Sequence, residues 1–111
     1  MTEHYEVRIT EHAEEAMNVI ARYIAFELLD PQAAMNLLYD LRNRIRKLSE
    51  MPQRIKPINE EPWGSEGIRK VLVHNYYVYF WIDEDNRLVQ VTDVIYHGRD
   101  QKDQLKNMPL Q

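Results

Sequence analysis

Residues 67 to 100 constrain the fold more than any other part of the chain, because they read as three consecutive antiparallel strands. In the middle strand, large side chains fill both alternating sets of positions: Tyr76, Val78, Phe80 and Ile82 in one, and Tyr77, Tyr79 and Trp81 in the other. Successive side chains of a strand point to opposite faces of a sheet. The pattern therefore predicts a central strand that needs cover on both faces.

Two polar turns divide this block. His74-Asn75 predicts a tight turn in which Asn75 takes the left-handed conformation, and Asp83 to Asn86 predicts a hairpin loop. The last strand is followed by His97, a glycine and Arg99. We therefore expect Arg99 at an exposed end of the sheet.

The N-terminal part predicts a strand followed by a helix. Tyr5 to Ile9 alternates apolar and charged residues, as an edge strand does, and Thr10 is placed to cap a helix rich in early glutamates. The apolar residues of that helix recur at helical spacing: Ala13, Met17, Ile20, Ile24 and Leu28. This spacing predicts that all five lie on one buried face.

A second helix follows at once. Asp30 is a capping residue and Pro31 suits the first helical position, whereas Pro52 requires the helix to end by Met51. Its apolar positions again have helical spacing: Ala34, Leu37, Leu38, Leu41, Ile45 and Leu48. The two helices predict a hairpin. Residues 52 to 67 predict a loop that crosses to the sheet, and residues 101 to 111 predict a short helix or a frayed tail.

The predicted order is β-α-α-β-β-β. We interpret it as a two-layer α+β fold, with an antiparallel sheet packed against the helical hairpin and one core, in a single domain over residues 1–111. The other face of the sheet is expected to be partly open or covered by a partner.

Composition excludes several classes of site. The chain has no cysteine, and its histidines lack zinc spacing: His4, His12, His74 and His97. A calcium loop beginning at Asp83 fails because Leu88 stands where glycine is needed. We expect no metal and no cofactor. The first ten residues lack the features of a signal peptide, and no apolar run is long enough to cross a bilayer, so we expect cytoplasmic residence without a membrane partner.

The net charge is −4, but one stretch is basic. Between residues 42 and 56, six cations surround the single Glu50: Arg42, Arg44, Arg46, Lys47, Arg54 and Lys56. This stretch is interpreted either as a solvated helix face or as a contact for an acidic segment or nucleic acid. The acidic total disfavours broad affinity for nucleic acids, because phosphate is repelled at long range.

The order of elements, with the segments GIRKVLVHNY, YYVYFWID and VIYHGRD, resembles the RelE/ParE superfamily of bacterial toxins from type II toxin-antitoxin systems. The resemblance extends from Tyr5 to Asp103. It implies one of two activities. RelE-like members cut messenger RNA on the ribosome with basic residues on the sheet, whereas ParE-like members bind and poison DNA gyrase.

The RelE-like residues are incompletely matched. The resemblance places Arg99 at the position of a phosphate-stabilising arginine, and His97 is a candidate general acid or base. The expected tyrosine after it is replaced by Leu105, and the second-strand arginine falls near Leu72, leaving the nearby cations out of register. A nuclease remains an alternative if four residues converge on one face: Arg69, Lys70, His97 and Arg99.

The resemblance therefore favours a ParE-like toxin, of the kind associated with plasmid stabilisation. It implies a gyrase target, neutralisation by a cognate antitoxin, and a toxin-antitoxin hetero-oligomer. We expect Arg42, Arg46 and Lys47 to face acidic residues of the antitoxin. The alternatives are a ribosome-dependent nuclease acting on messenger RNA, and a degenerate, non-toxic protein that only binds its antitoxin.

Overall fold

A computed structural model describes residues 4–111. The first half contains strand β1, two helices and three short helical turns: β1 (Glu6–Ile9), α1 (Glu11–Arg22), a π-helical turn (Tyr23–Glu27), α2 (Pro31–Arg46) and 3-10 turns at Lys47–Ser49 and Pro52–Arg54. The second half contains three strands and a short helix: β2 (Arg69–Val73), β3 (Tyr76–Asp83), β4 (Leu88–Tyr96) and α3 (Gln101–Leu105). The predicted order is confirmed, and α3 follows it.

The four strands form one sheet in the order β1-β4-β3-β2. The pairs β2-β3 and β3-β4 are antiparallel, as predicted. The expectation of a wholly antiparallel sheet is wrong at β1, which pairs parallel to β4 from Glu6 opposite Leu88 to Ile9 opposite Val91. A parallel pair needs a long crossover connection, and the helical hairpin provides the first part of it.

Both predicted helix caps are present. The Thr10 hydroxyl accepts a hydrogen bond from the Ala13 amide at 3.1 Å, and the Asp30 carboxylate accepts one from the Ala33 amide at 3.1 Å. The apolar stripe of α1 ends earlier than predicted, because Leu28 is exposed. The wider π-helical turn at Tyr23–Glu27 rotates the residues after it away from the face that α1 buries.

The helices pack on one face of the sheet and form the larger core. Buried side chains from both layers meet there: Tyr5, Ala13, Met17, Leu37, Leu41, Ile45, Leu48, Val73, Val78, Phe80, Val89, Val91 and Val94. The middle strand contributes Val78 and Phe80, both fully buried. We call this face the helix face.

The opposite face is covered by the chain itself, which corrects the expectation of an open face and of one core. The crossing loop and the C-terminal segment pack against residues of the sheet there and form a second buried cluster: Ile58, Ile68, Tyr79, Ile95, Leu105 and Met108. The Tyr79 hydroxyl donates to Gln101 Oε1 at 2.8 Å, and the Trp81 indole donates to the Leu110 carbonyl at 2.8 Å. We call this face the loop face.

Two local irregularities adjust the sheet. In the β2-β3 turn, His74 rather than Asn75 has the positive φ of 53°, and its ring is 2.6 Å from the Asp40 carboxylate on α2. In β4, Thr92 is a bulge, since Tyr79 pairs with Asp93 while Phe80 pairs with Val91.

Candidate functional site

Arg99 and His97 lie exposed where β4 ends, at a rim of aromatic rings. The Tyr96 and Tyr76 rings meet edge to face with centroids 5.7 Å apart, and the His97 ring lies 5.0 Å from that of Tyr96. The Arg99 amide donates to the Tyr96 carbonyl at 3.1 Å, and its guanidinium lies 3.5 Å from Gln104 Oε1. The rim therefore presents one cation and one imidazole beside two tyrosine rings that pack edge to face.

Packing shapes this rim. A Cβ atom at Gly98 would lie 2.5 Å from the ring of Tyr96, so a larger residue there would require this ring to move. Burial raises the pKa of Tyr76, and the Tyr96 and Tyr23 hydroxyls raise it further. A phenol with a raised pKa is a poor proton donor to a nucleotide. The strand pattern placed Tyr76 in a core and did not indicate the rim.

Arg69 and Lys70 project from opposite faces of β2. Arg69 pairs with Phe80 of the helix face and Lys70 with Tyr79 of the loop face. The Arg69 guanidinium donates to the carbonyls of Ile55 and Gln53, and Lys70 Nζ is 3.7 Å from the Glu60 carboxylate and 4.1 Å from the Tyr77 ring centre. Both cations are engaged within the fold.

The four residues of the nuclease alternative do not converge. Tyr96 lies across from Tyr76, which pairs with Val73, so the rim is at the end of β2. Arg69 is at the start of that strand, roughly 13 Å away along four residues. The two positions at which the resemblance expects further site residues hold a buried Leu105 and an exposed Leu72.

The basic stretch divides between paired and unpaired cations. Arg42 is bound to Glu14 on α1 at 2.5 Å, and Arg46 is 3.0 Å from the Asn43 side chain. Lys47 is exposed. Of the three residues expected to face an antitoxin, Arg46 and Lys47 lie open on the surface, whereas Arg42 joins the two helices.

The helical hairpin exposes a group of large apolar side chains, from its tip to the middle of α2, that the sequence pattern did not identify. Their exposed fractions all exceed half: Phe26 71%, Leu28 57%, Leu29 81%, Met35 66% and Tyr39 69%. We call these five residues the hairpin tip. Exposed apolar groups of this size typically mark contacts with other proteins. The sequence pattern predicted that Leu28 would be buried, because its spacing continues the apolar stripe of α1.

A buried carboxylate lies apart from these surfaces, at the bulge of β4. Asp93 is 5% exposed, and it accepts a hydrogen bond from the Val94 amide at 2.8 Å and contacts His12 Nε2 at 3.0 Å. Burial raises the pKa of Asp93, and the contact with His12 opposes that rise. This pair joins the start of α1 to the sheet.

Within residues 4–111, no three histidine or acidic side chains are grouped closely enough to hold a metal ion. No helix in the same range has the length and apolar character needed to span a bilayer.

Comparisons with known proteins agree with this geometry. Residues 7–101 match the family model described as ParE toxin of type II toxin-antitoxin system, parDE. The fold is similar to a chromosomal ParDE toxin-antitoxin system from P. aeruginosa, with a TM-score of 0.69 at 14% identity over 85% of this chain and 97% of that one.

Two other solved structures share the fold. The toxin-antitoxin complex RelBE2 from Mycobacterium tuberculosis gives a TM-score of 0.56 at 20% identity, over 86% of this chain and 94% of that one. A mutant of E. coli toxin RelE in the free state gives 0.56 at 15% identity, over 88% of each chain. No curated protein sequence matches significantly.

Proposed function

Because this chain belongs to the ParE toxin family of type II toxin-antitoxin systems, we propose that it arrests bacterial growth by binding DNA gyrase. In this proposal it acts in the cytoplasm, and a cognate antitoxin neutralises it by forming a hetero-oligomer. The toxin is then an inhibitor that works through a protein contact and not through catalysis.

The hairpin tip is the observation that carries this proposal. Its five apolar side chains gain little by facing water, and burying each against a partner is favourable by about 1.5–3 kcal/mol. The three cations and one imidazole of the nuclease alternative, in contrast, are spread over two faces of the sheet and lie near both ends of β2. The protein therefore has an exposed apolar surface that suits a protein contact. Its four candidate catalytic residues are too dispersed to act on one substrate together.

The direct test is a supercoiling assay with purified gyrase, relaxed plasmid and this protein. We expect the protein to block supercoiling or to trap cleaved DNA. A variant carrying Phe26→Ser, Met35→Ser and Tyr39→Ser should lose at least about tenfold in inhibition, since apolar contacts at the centre of an interface dominate binding.

Leu72→Ser is the matched control, because Leu72 is as exposed as Leu28 but lies on β2, at the far side of the sheet from β1. Inhibition by this control should equal that of the wild type. If gyrase is unaffected by the wild-type protein, the target is wrong. If both variants inhibit equally, the hairpin tip is not the contact.

A RelE-like nuclease is the second candidate, and the exposed pair of His97 and Arg99 at the rim is the observation in its favour. An exposed guanidinium can bind a phosphate, and an imidazole can transfer a proton near neutral pH. Purified protein added to translating ribosomes should then cut messenger RNA, and Arg99→Ala should abolish the cutting. Lys102→Ala is the control, because Lys102 is an exposed cation on the neighbouring helix.

A non-toxic protein that only binds its antitoxin is the third candidate. Induced expression in bacteria separates the three outcomes. Growth arrest with DNA-damage signalling supports the gyrase proposal, and arrest with translational shut-off supports the nuclease. Normal growth supports the non-toxic protein.

A further inference from the structure

A cleft lies where the end of α2 meets the 3-10 turn Pro52–Arg54, away from the hairpin tip. It has a volume of about 500 Å³. Its floor and walls include apolar residues from the segment that follows α2: Leu48, Met51, Pro52 and Ile55. Leu48 is buried, whereas half of the Met51 side chain is exposed at the opening. The cleft thus has both apolar and charged side chains in its lining and is accessible from solvent.

Three cations line the cleft: Arg44, Lys47 and Arg54. Within residues 4–111, none of these three side chains forms an ion pair or a side-chain hydrogen bond. Some other cations of the chain are paired, since Arg42 and Lys70 each meet a carboxylate. Glu50 is the one acidic residue of the lining, so the local charge is positive.

The wall of the cleft is fixed by bonds from the rest of the fold. Arg69 donates to the carbonyls of Gln53 and Ile55, which flank Arg54. The Gln53 side-chain amide donates a hydrogen bond to the Tyr5 hydroxyl, and this hydroxyl donates to Glu84 Oε1 at 2.7 Å. A surface that is already ordered loses less conformational entropy when a ligand binds.

We propose that this cleft binds an acidic peptide segment of the antitoxin, with an apolar side chain of that segment inserted between Met51 and Ile55. The inference rests on the proposed function, because it assumes an antitoxin as the partner. Carboxylates of the segment pair with Arg44, Lys47 and Arg54. Arg69 is a positioning residue for the wall of the cleft.

A peptide fits the cleft better than a nucleic acid does. Single-stranded nucleic acids bind through aromatic stacking beside cations. The described residues that line the cleft include no aromatic side chain. The net charge of −4 repels phosphate at long range, whereas a short peptide carries fewer charges and also brings an apolar side chain.

The test uses the purified full chain and a fluorescein-labelled synthetic peptide of glutamate and leucine, with binding followed by fluorescence anisotropy. We expect saturable binding that weakens in high salt. Arg44→Glu, Lys47→Glu and Arg54→Glu combined should weaken it at least about tenfold, since each removes an attraction and adds a repulsion. Met51→Ser should weaken it severalfold without changing the charge.

Three controls make the result specific. A variant with Arg8→Glu, Lys102→Glu and Lys106→Glu changes the net charge equally, away from the cleft, and should bind the peptide as the wild type does. Peptides of lysine and leucine, or of glutamate and serine, should bind much more weakly. Circular dichroism verifies that each variant is folded.

The proposal is overturned if both charge-reversal variants bind alike, if the lysine peptide binds equally well, or if a single-stranded oligonucleotide displaces the acidic peptide at lower concentration. Growth arrest without peptide binding would remove this inference and leave the toxin function standing. Peptide binding without growth arrest would support the acidic-peptide cleft and remove the toxin function.

Discussion

The two faces of the sheet are covered in different ways. The helix face is packed by two helices whose buried residues are mostly aliphatic, such as Leu41 and Ile45. The loop face is packed by irregular chain and the five-residue helix α3, and its contacts mix apolar burial with hydrogen bonds from Tyr79 and Trp81. The comparison indicates that the helix face provides most of the stability, whereas the loop face depends on a segment that can open locally.

The largest expected effect compares one leucine from each face. Leu41→Ala should lower the free energy of unfolding by about 2–5 kcal/mol, because Leu41 is fully buried between helices and sheet. Leu105→Ala should cost about 1 kcal/mol, because detachment of the short C-terminal segment limits the loss. Urea denaturation measures both values.

Hydrogen exchange gives the matching local readout. In the Leu105→Ala variant, amides of residues 101–108 should exchange faster while those of β3 remain protected. Equal losses of global stability in the two variants would show that the faces form one cooperative unit.

A smaller effect compares the caps of α1 and α3. Thr10→Ala should cost about 1–2 kcal/mol, because the buried hydroxyl accepts from Ala13 and also lies 3.4 Å from the Thr92 carbonyl. Asp100→Ala should cost only about 0.5 kcal/mol, because its cap of α3 is exposed to water. Thermal unfolding of the two variants would contradict this order if Asp100→Ala had the lower midpoint.

The subtlest effect concerns pH and the junction of β4 with α1. Because burial raises the pKa of Asp93, the folded protein binds a proton at this carboxylate more tightly than the unfolded chain does. That contribution to stability is present below the unfolded pKa and is lost as pH rises through the folded pKa. Asp93→Asn should therefore gain stability relative to the wild type as the pH rises above about 4, the ordinary pKa of an aspartate. Urea midpoints that move in parallel across this range would contradict the assignment.

Regular patterns predicted the helix face and much of the strand register. Thr10, Asp30 and Pro31 mark helix starts through local chemistry. The large side chains on both faces of β3 require cover on both sides, whichever part of the chain provides it. The cover of the loop face was not predictable, because Ile58 and Leu105 lie in segments without periodicity. The parallel pairing of β1 depends on contacts far apart in sequence, which no local pattern encodes.

The candidate surfaces were less predictable than the fold. Arg99 was expected at the sheet end and lies there exposed. The sequence placed Arg69 and Lys70 on β2 but left open whether they converge with Arg99. Their engagement with Ile55 and Glu60 depends on how the crossing loop lies. Leu28 shows the limit of helical spacing, because one π-helical turn moved it from an expected core to the hairpin tip.

The parallel pairing of β1 with β4 also affects how the protein is made. Glu6 and Leu88 must meet before the sheet has its fourth strand, and loops of that length close slowly compared with local contacts. During synthesis the N-terminal strand has no partner in the sheet until β4 has emerged from the ribosome. A nascent or prematurely terminated polypeptide therefore lacks the finished sheet, and any activity that needs the complete fold can begin only after β4 has been translated.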